Sequence, residues 1–188
     1  MSQSARTRSI VITAFFAAVV FLGIQSFRIP MPAAVGTPFL HFGHIFVMLA
    51  VLCLGPKRSA AAGVLGLVIF DLLNGFIHAI PNVLFSTIVK TLVIGALFLM
   101  LKKKAAGNAK KEYIFAILCA ALYGVLNIVL DFAWNTAELV VMGSQLQAAI
   151  TAELASIPAT VINAVFTVIG IAVLYVPVKE AYRRAIKE

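Results

Sequence analysis

Residues 81–101 read PNVLFSTIVKTLVIGALFLML, and Lys90 stands near the middle of this run. About 20 apolar residues suffice for a helix to cross a bilayer. Between Val83 and Leu101 only Ser86, Thr87, Lys90 and Thr91 are polar. Asn82, Ser86 and Lys90 recur every four residues, so a helix aligns them on one face. A cation on a lipid-exposed helix centre costs at least about 2.5–3.5 kcal/mol. This helix is therefore expected to turn its polar face towards a protein interior, which the rest of the chain must supply.

Composition gives the same class. Of the 188 residues, 62% are hydrophobic and 12% charged, and mean hydropathy is +1.05. Soluble domains carry about 25% charged residues, so an all-α membrane protein is expected, a single domain over residues 1–188. Six spans can be drawn, at about 10–27, 39–54, 59–77, 81–101, 112–134 and 148–176. The first leads on from a short polar N-terminus without a small-residue cleavage site, and reads as an uncleaved span. The second is the shortest. The formal net charge is +8, and 13 of the 15 lysines and arginines fall at the N-terminus, at Lys57-Arg58, at 102–111 and in the tail. This asymmetry predicts both termini in the cytoplasm. It assigns the charge to topology and anionic lipid, and nucleic acid is not an expected partner. Loops 28–38, 78–81 and 135–147 then face outward. Cys53 and Cys119 lie in apolar runs and read as inert packing residues.

The spans divide into two kinds. The first three are rich in small residues: Ala14 and Ala18 stand four apart, and Ala60 to Gly63 with Gly66 stud the third. Such faces let helices approach closely, either within the chain or against another subunit. The last three carry polar stripes at helical spacing. Asn82, Ser86 and Lys90 lie on the fourth, and Tyr123, Asn127, Asp131 and Trp134 on the fifth. Glu153, Ser156, Thr160, Asn163 and Thr167 lie on the sixth. Three such faces predict a shared polar cavity. Lys90 and Asp131 are the expected ion pair, either a helix lock or also a ligand contact. Asp71 and Asn74 either cap the third span or face the ligand. His41, His44 and His78 lie in the outer half, as hydrogen-bonded structural residues or ligand contacts. His41 and His44 have no cysteine or carboxylate beside them, so no metal is expected, and no cofactor. Phe39, Phe42, Phe85 and Trp134 are available to stack on a flat ring.

There is no phosphate-binding GxxxxGK[ST] loop, no GxSxG and no HExxH. No recognised nucleophile–base set points to an enzyme. No internal repeat is apparent, and the chain is small for a carrier that must alternate its access alone. A binding subunit energised by partners fits better than a stand-alone proton-coupled transporter using Asp131, Lys90 and Glu153.

The chain resembles a known family at this point. Ala14-xxx-Ala18, the segment HFGHIFVMLAVLCLGPKRSAAAGVLGLVIFDLLNGF at 41–76, the proline that follows and the intramembrane lysine carry the likeness. They resemble the substrate-binding S components of bacterial energy-coupling factor (ECF) vitamin transporters, in the riboflavin, pantothenate and hydroxymethylpyrimidine/pyridoxine branch. The resemblance implies a six-helix bundle that binds a vitamin or precursor near its outer face, chiefly through the last three helices. It implies docking through the first three helices onto a transmembrane T subunit, with Ala14 and Ala18 at that contact, and two cytoplasmic ATPases driving release inside. The expected substrate-binding residues are His41, His78, Asn82, Ser86, Lys90, Asn127, Asp131 and Trp134. A small flat heterocycle such as hydroxymethylpyrimidine or pyridoxine is the first choice, with riboflavin and pantothenate open.

Overall fold

A computed structural model describes residues 3–31 and 38–187. Residues 32–37, the centre of the expected 28–38 loop, lie outside the described residues. The helices are α1 (Gln3–Gln25), α2 (Gly43–Leu54), α3 (Pro56–Asn74), α4 (Ile80–Ala105), α5 (Ala109–Val141), α6 (Leu146–Leu154) and α7 (Ile157–Lys187). The all-α expectation needs one amendment. Ile29–Pro30 (β1) and Phe39–Leu40 (β2) pair antiparallel, Ile29 opposite Leu40, so the ends of the 28–38 loop form a short ribbon.

Local chemistry sets the boundaries. Gly55 takes a positive φ of 80° between α2 and α3, and its N–H bonds the Val51 carbonyl at 3.2 Å. Pro56 follows in the first turn of α3, where its missing N–H costs nothing. The Asn108 side chain accepts from the Lys111 N–H at 2.9 Å and caps α5. α5 runs seven residues past the expected end at Trp134, to Val141. The span expected at 148–176 is two helices. Pro158 lacks the N–H that would bond back to Leu154, and its ring crowds that carbonyl. The chain therefore ends α6 at Leu154 and restarts as α7 with Pro158 in the first turn.

α1, α4, α5 and α7 are long and apolar enough to cross a membrane. α2 is not: its 12 residues span about 18 Å at 1.5 Å per residue. The helices close in a ring, α1 on α3, α3 on α4, α4 on α5, α5 on α7, α7 on α2 and α2 on α1. α2 also meets α4 and α5, so it lies innermost. Its residues from Val47 to Leu52 are all at most 5% exposed. A helix apolar all round is a buried helix, and this is why the run FVMLAVLCL carries no polar stripe. The small residues of α3 mostly face inward. A Cβ built on Gly66 would stand 2.6 Å from the Ala17 carbonyl oxygen and 2.8 Å from the Val20 side chain, so glycine is required for the α1–α3 approach. Ala17 is buried in that contact, whereas Ala14 and Ala18 lie on the exposed side of α1.

The basic end of the bundle is tied by side chains. The Glu112 carboxylate, 7% exposed, accepts from Tyr175 Oη and Lys179 Nζ, each at 2.7 Å, and Lys102 Nζ stands 3.4 Å away. These bonds join the ends of α4, α5 and α7 opposite the polar cavity. Gly66→Ala is expected to lower stability by about 1–3 kcal/mol, since the added methyl meets backbone that cannot yield. A reduced thermal midpoint in detergent checks it, and an unchanged midpoint would mean the α1–α3 contact is looser than described.

Candidate functional site: a polar cavity between the helices

The polar faces of α4, α5, α6 and α7 converge at the bundle end away from Glu112. There they enclose a cavity of about 420 Å³ whose wall also includes residues of α3, β2 and the start of α2. Seven of the eight expected ligand contacts lie in this wall: His41, His78, Asn82, Ser86, Lys90, Asn127 and Asp131. Trp134 is not among the lining residues. Its ring packs on Phe85, with centroids 5.4 Å apart and planes 32° apart. The α5 stripe continues from Asp131 to Asn135, four residues on, and then to Glu138. A step of three to Trp134 rotates about 60° short of a full turn and points at α4 instead.

Lys90 is 1% exposed. Its Nζ bonds Asn127 Oδ1, and Asn127 Nδ2 donates to Asp131 Oδ2 at 2.7 Å. Among the described residues the expected direct Lys90–Asp131 ion pair is absent, and Asn127 stands between the charges. An amide does this because its carbonyl accepts from the ammonium while its N–H2 donates to the carboxylate. The Lys90 ammonium also lies 5.4 Å from the centroid of the Tyr123 ring, a cation–π contact. A second chain runs across the helices: Asn82 Nδ2 donates to Asn135 Oδ1 and Asn135 Nδ2 to Glu153 Oε2, both at 3.1 Å. Asn135 and Glu153 thereby tie α4, α5 and α6 together around the opening.

His41, His44 and Asn163 form another part of the wall. Asn163 Oδ1 accepts from the His41 N–H at 3.0 Å and its Nδ2 donates to the Phe39 carbonyl at 3.0 Å. His44 Nδ1 lies 3.3 Å from Tyr123 Oη. His78 is exposed, beside Phe76, in the 3₁₀ turn Ile77–Ala79. Asp71 lies in the cavity wall, while Asn74 bonds Gln25 and the Phe70 carbonyl away from it. Asp71 Oδ2, Asn82 Oδ1 and Thr87 Oγ1, all on lining residues, are buried without a partner among the described residues. Sequence reading passed over Thr87, Asn135 and Glu138. Asn135 and Glu138 extend the Asn127–Asp131 spacing and were legible once α5 was carried past Trp134. Thr87 is one residue off the Asn82–Ser86–Lys90 line and gave no signal. Among the described residues no group of three or more His, Cys, Asp or Glu converges as a metal site would require.

Membrane-length helices around a cavity with converging polar side chains define a helical membrane protein with room for a small molecule. Comparison with known proteins places it further. A family model described as ECF-type riboflavin transporter, S component, matches residues 4–182, and the chain belongs to that family. Among solved structures it is similar to the S-component for biotin from an ECF-type ABC transporter. The TM-score is 0.60 at 17% identity, over 93% of this chain and 94% of that one, a likeness of fold. No curated protein sequence matches.

The Lys90–Asn127–Asp131 relay makes a stability prediction. Lys90→Met and Asp131→Leu each leave one buried charge uncompensated and are expected to cost about 3–5 kcal/mol. The double variant Lys90→Met/Asp131→Leu removes both charges and is expected to be more stable than either single variant. Thermal unfolding of the three proteins in one detergent checks it; additive losses would mean the two charges do not sense each other.

Proposed function

We propose that this chain is the vitamin-binding subunit of an ATP-driven ECF-type importer of the bacterial plasma membrane. The observation that carries the reading is a polar cavity of about 420 Å³ enclosed by a chain of the S-component family. That volume falls within the range of about 300–1,000 Å³ that encloses drug-sized ligands. The charge distribution supports an orientation with both termini in the cytoplasm and the cavity opening outward; α1, α4, α5 and α7 cross by their own length, and the shorter α2 and α3 complete six passages inside the bundle. ATP hydrolysis falls to two partner subunits, and the chain itself performs no chemistry.

Ligand contact falls to His41, His78, Asn82, Ser86, Lys90, Asn127 and Asp131. Trp134 is better placed as a packing partner of Phe85. The ligand is a neutral, hydrogen-bonding heterocycle. Lys90 already shares Asn127 with a carboxylate, so the site holds no spare cation for an acid such as pantothenate. Riboflavin comes first, because the family is described by it and the cavity has room for several rings. The single-ring ligands hydroxymethylpyrimidine and pyridoxine follow. The T subunit docks on the exposed side of α1, where Ala14 and Ala18 leave a shallow surface for a second helix to approach. A stand-alone proton-coupled carrier is the competing reading, and uptake by this chain alone in liposomes under a proton gradient would favour it.

Purified protein titrated with riboflavin is expected to quench flavin fluorescence saturably at one site, with pyridoxine and hydroxymethylpyrimidine as competitors. The absence of saturable binding by any of the three, alone or in the assembled complex, would sink the reading. Ala14→Trp and Ala18→Trp are expected to abolish uptake by the complex and leave ligand affinity unchanged. Loss of affinity instead would mean these alanines pack within the chain.

A further inference from the structure

His41 lies between β2 and α2, in the cavity wall. The Asn163 amide holds its backbone in the way a neighbouring strand would, with one bond to the N–H of residue 41 and one to the carbonyl of residue 39. A further bond fixes the ring: the Gly43 N–H points at His41 Nδ1 over 3.1 Å. A backbone N–H can only donate, so Nδ1 is the accepting, unprotonated nitrogen. In a neutral imidazole the proton is then on Nε2. The imidazolium carries protons on both nitrogens and would lose the bond from Gly43. His44 is not fixed in this way, because the Tyr123 hydroxyl can donate to its Nδ1 or accept from it. The ring of His41 is flanked by Phe39 at 5.4 Å and His44 at 4.8 Å between centroids. Among the described residues its Nε2 has no hydrogen-bond partner, and it is not one of the unpartnered atoms sealed off by packing.

We infer that His41 is a specificity-determining residue: a neutral imidazole held in the Nε2–H tautomer, which donates to an acceptor atom of the ligand. A carbonyl oxygen, a hydroxyl oxygen or an unprotonated ring nitrogen satisfies it, and a ligand edge presenting only N–H to this position is rejected. Asn163 is the positioning residue that sets where the donor points. The inference rests on the vitamin-binding reading for its ligand, and on hydrogen-bond chemistry alone for its tautomer.

Two isosteres separate the two ring nitrogens. Asn at this position places an acceptor oxygen near Nδ1 and no donor near Nε2; Gln places an N–H2 near Nε2 and nothing near Nδ1. His41→Asn is expected to keep the thermal midpoint of the ligand-free protein while weakening riboflavin binding roughly tenfold. His41→Gln is expected to lower the midpoint, since the Gly43 N–H loses its acceptor, while riboflavin affinity stays within about threefold, less than the cost of one hydrogen bond. Nitrogen NMR of histidine-labelled, ligand-free protein is expected to report the Nε2–H tautomer at residue 41. A proton on Nδ1 would overturn the inference, and so would wild-type riboflavin affinity in His41→Asn. If wild-type protein binds no riboflavin, the ligand assignment has failed; the tautomer is still decided by NMR, and the same two variants are read against pyridoxine.

Discussion

The polar chamber of this bundle is organised around one buried cation. Lys90 is 1% exposed on a helix whose other faces meet apolar surroundings. An ammonium taken out of water must be compensated by charge and by hydrogen bonds together. The bundle meets that need by drawing in Asn127 and, through it, Asp131, and by setting the ring of Tyr123 under the charge. Three residues of α5 are committed in this way, and α4 and α5 are fixed in register by them. The cavity is the space beside this relay that no side chain fills.

The second constraint is the innermost helix. α2 is buried on every side, so it separates the cavity at one end of the bundle from the Glu112 cluster at the other. Close contacts let five other helices pack around it, with glycine at positions such as Gly66 admitting close approach of neighbouring helices. The division of labour follows. Small residues of α1 and α3 set the packing of one side and leave Ala14 and Ala18 outward. The polar side chains of α4 to α7 line a single chamber.

Much of this could be read from residue spacing. The four-residue steps from Asn82 to Lys90 and from Tyr123 to Asp131 located the wall on α4 and α5, because helical periodicity is a local property. The errors arose where a local rule met a tertiary choice. Trp134 and Asn135 are one residue apart, and both continue a helical face within the spread of steps of three and four. Only the packing of Trp134 on Phe85 decides which one turns inward. The charges of Lys90 and Asp131 suggested direct contact, yet Asn127 intervenes, since spacing along two helices says nothing of their mutual height. The break at Pro158 was written in the sequence and was overlooked because the apolar run continued through it.

The sequence by itself determined that this is a helical membrane protein with one small-residue half and one polar half. Those properties depend on composition, on period and on the cost of polar groups in hydrocarbon, none of which needs a partner to be known. Only the tertiary structure decided that the short second helix is the centre of the bundle, and that Asn163 reaches across 122 positions to hold His41. It alone set the Gly43 N–H against Nδ1 of that histidine. Long-range hydrogen bonds of this kind depend on how helices are rotated and stacked against each other, and that geometry emerges only when the chain closes on itself.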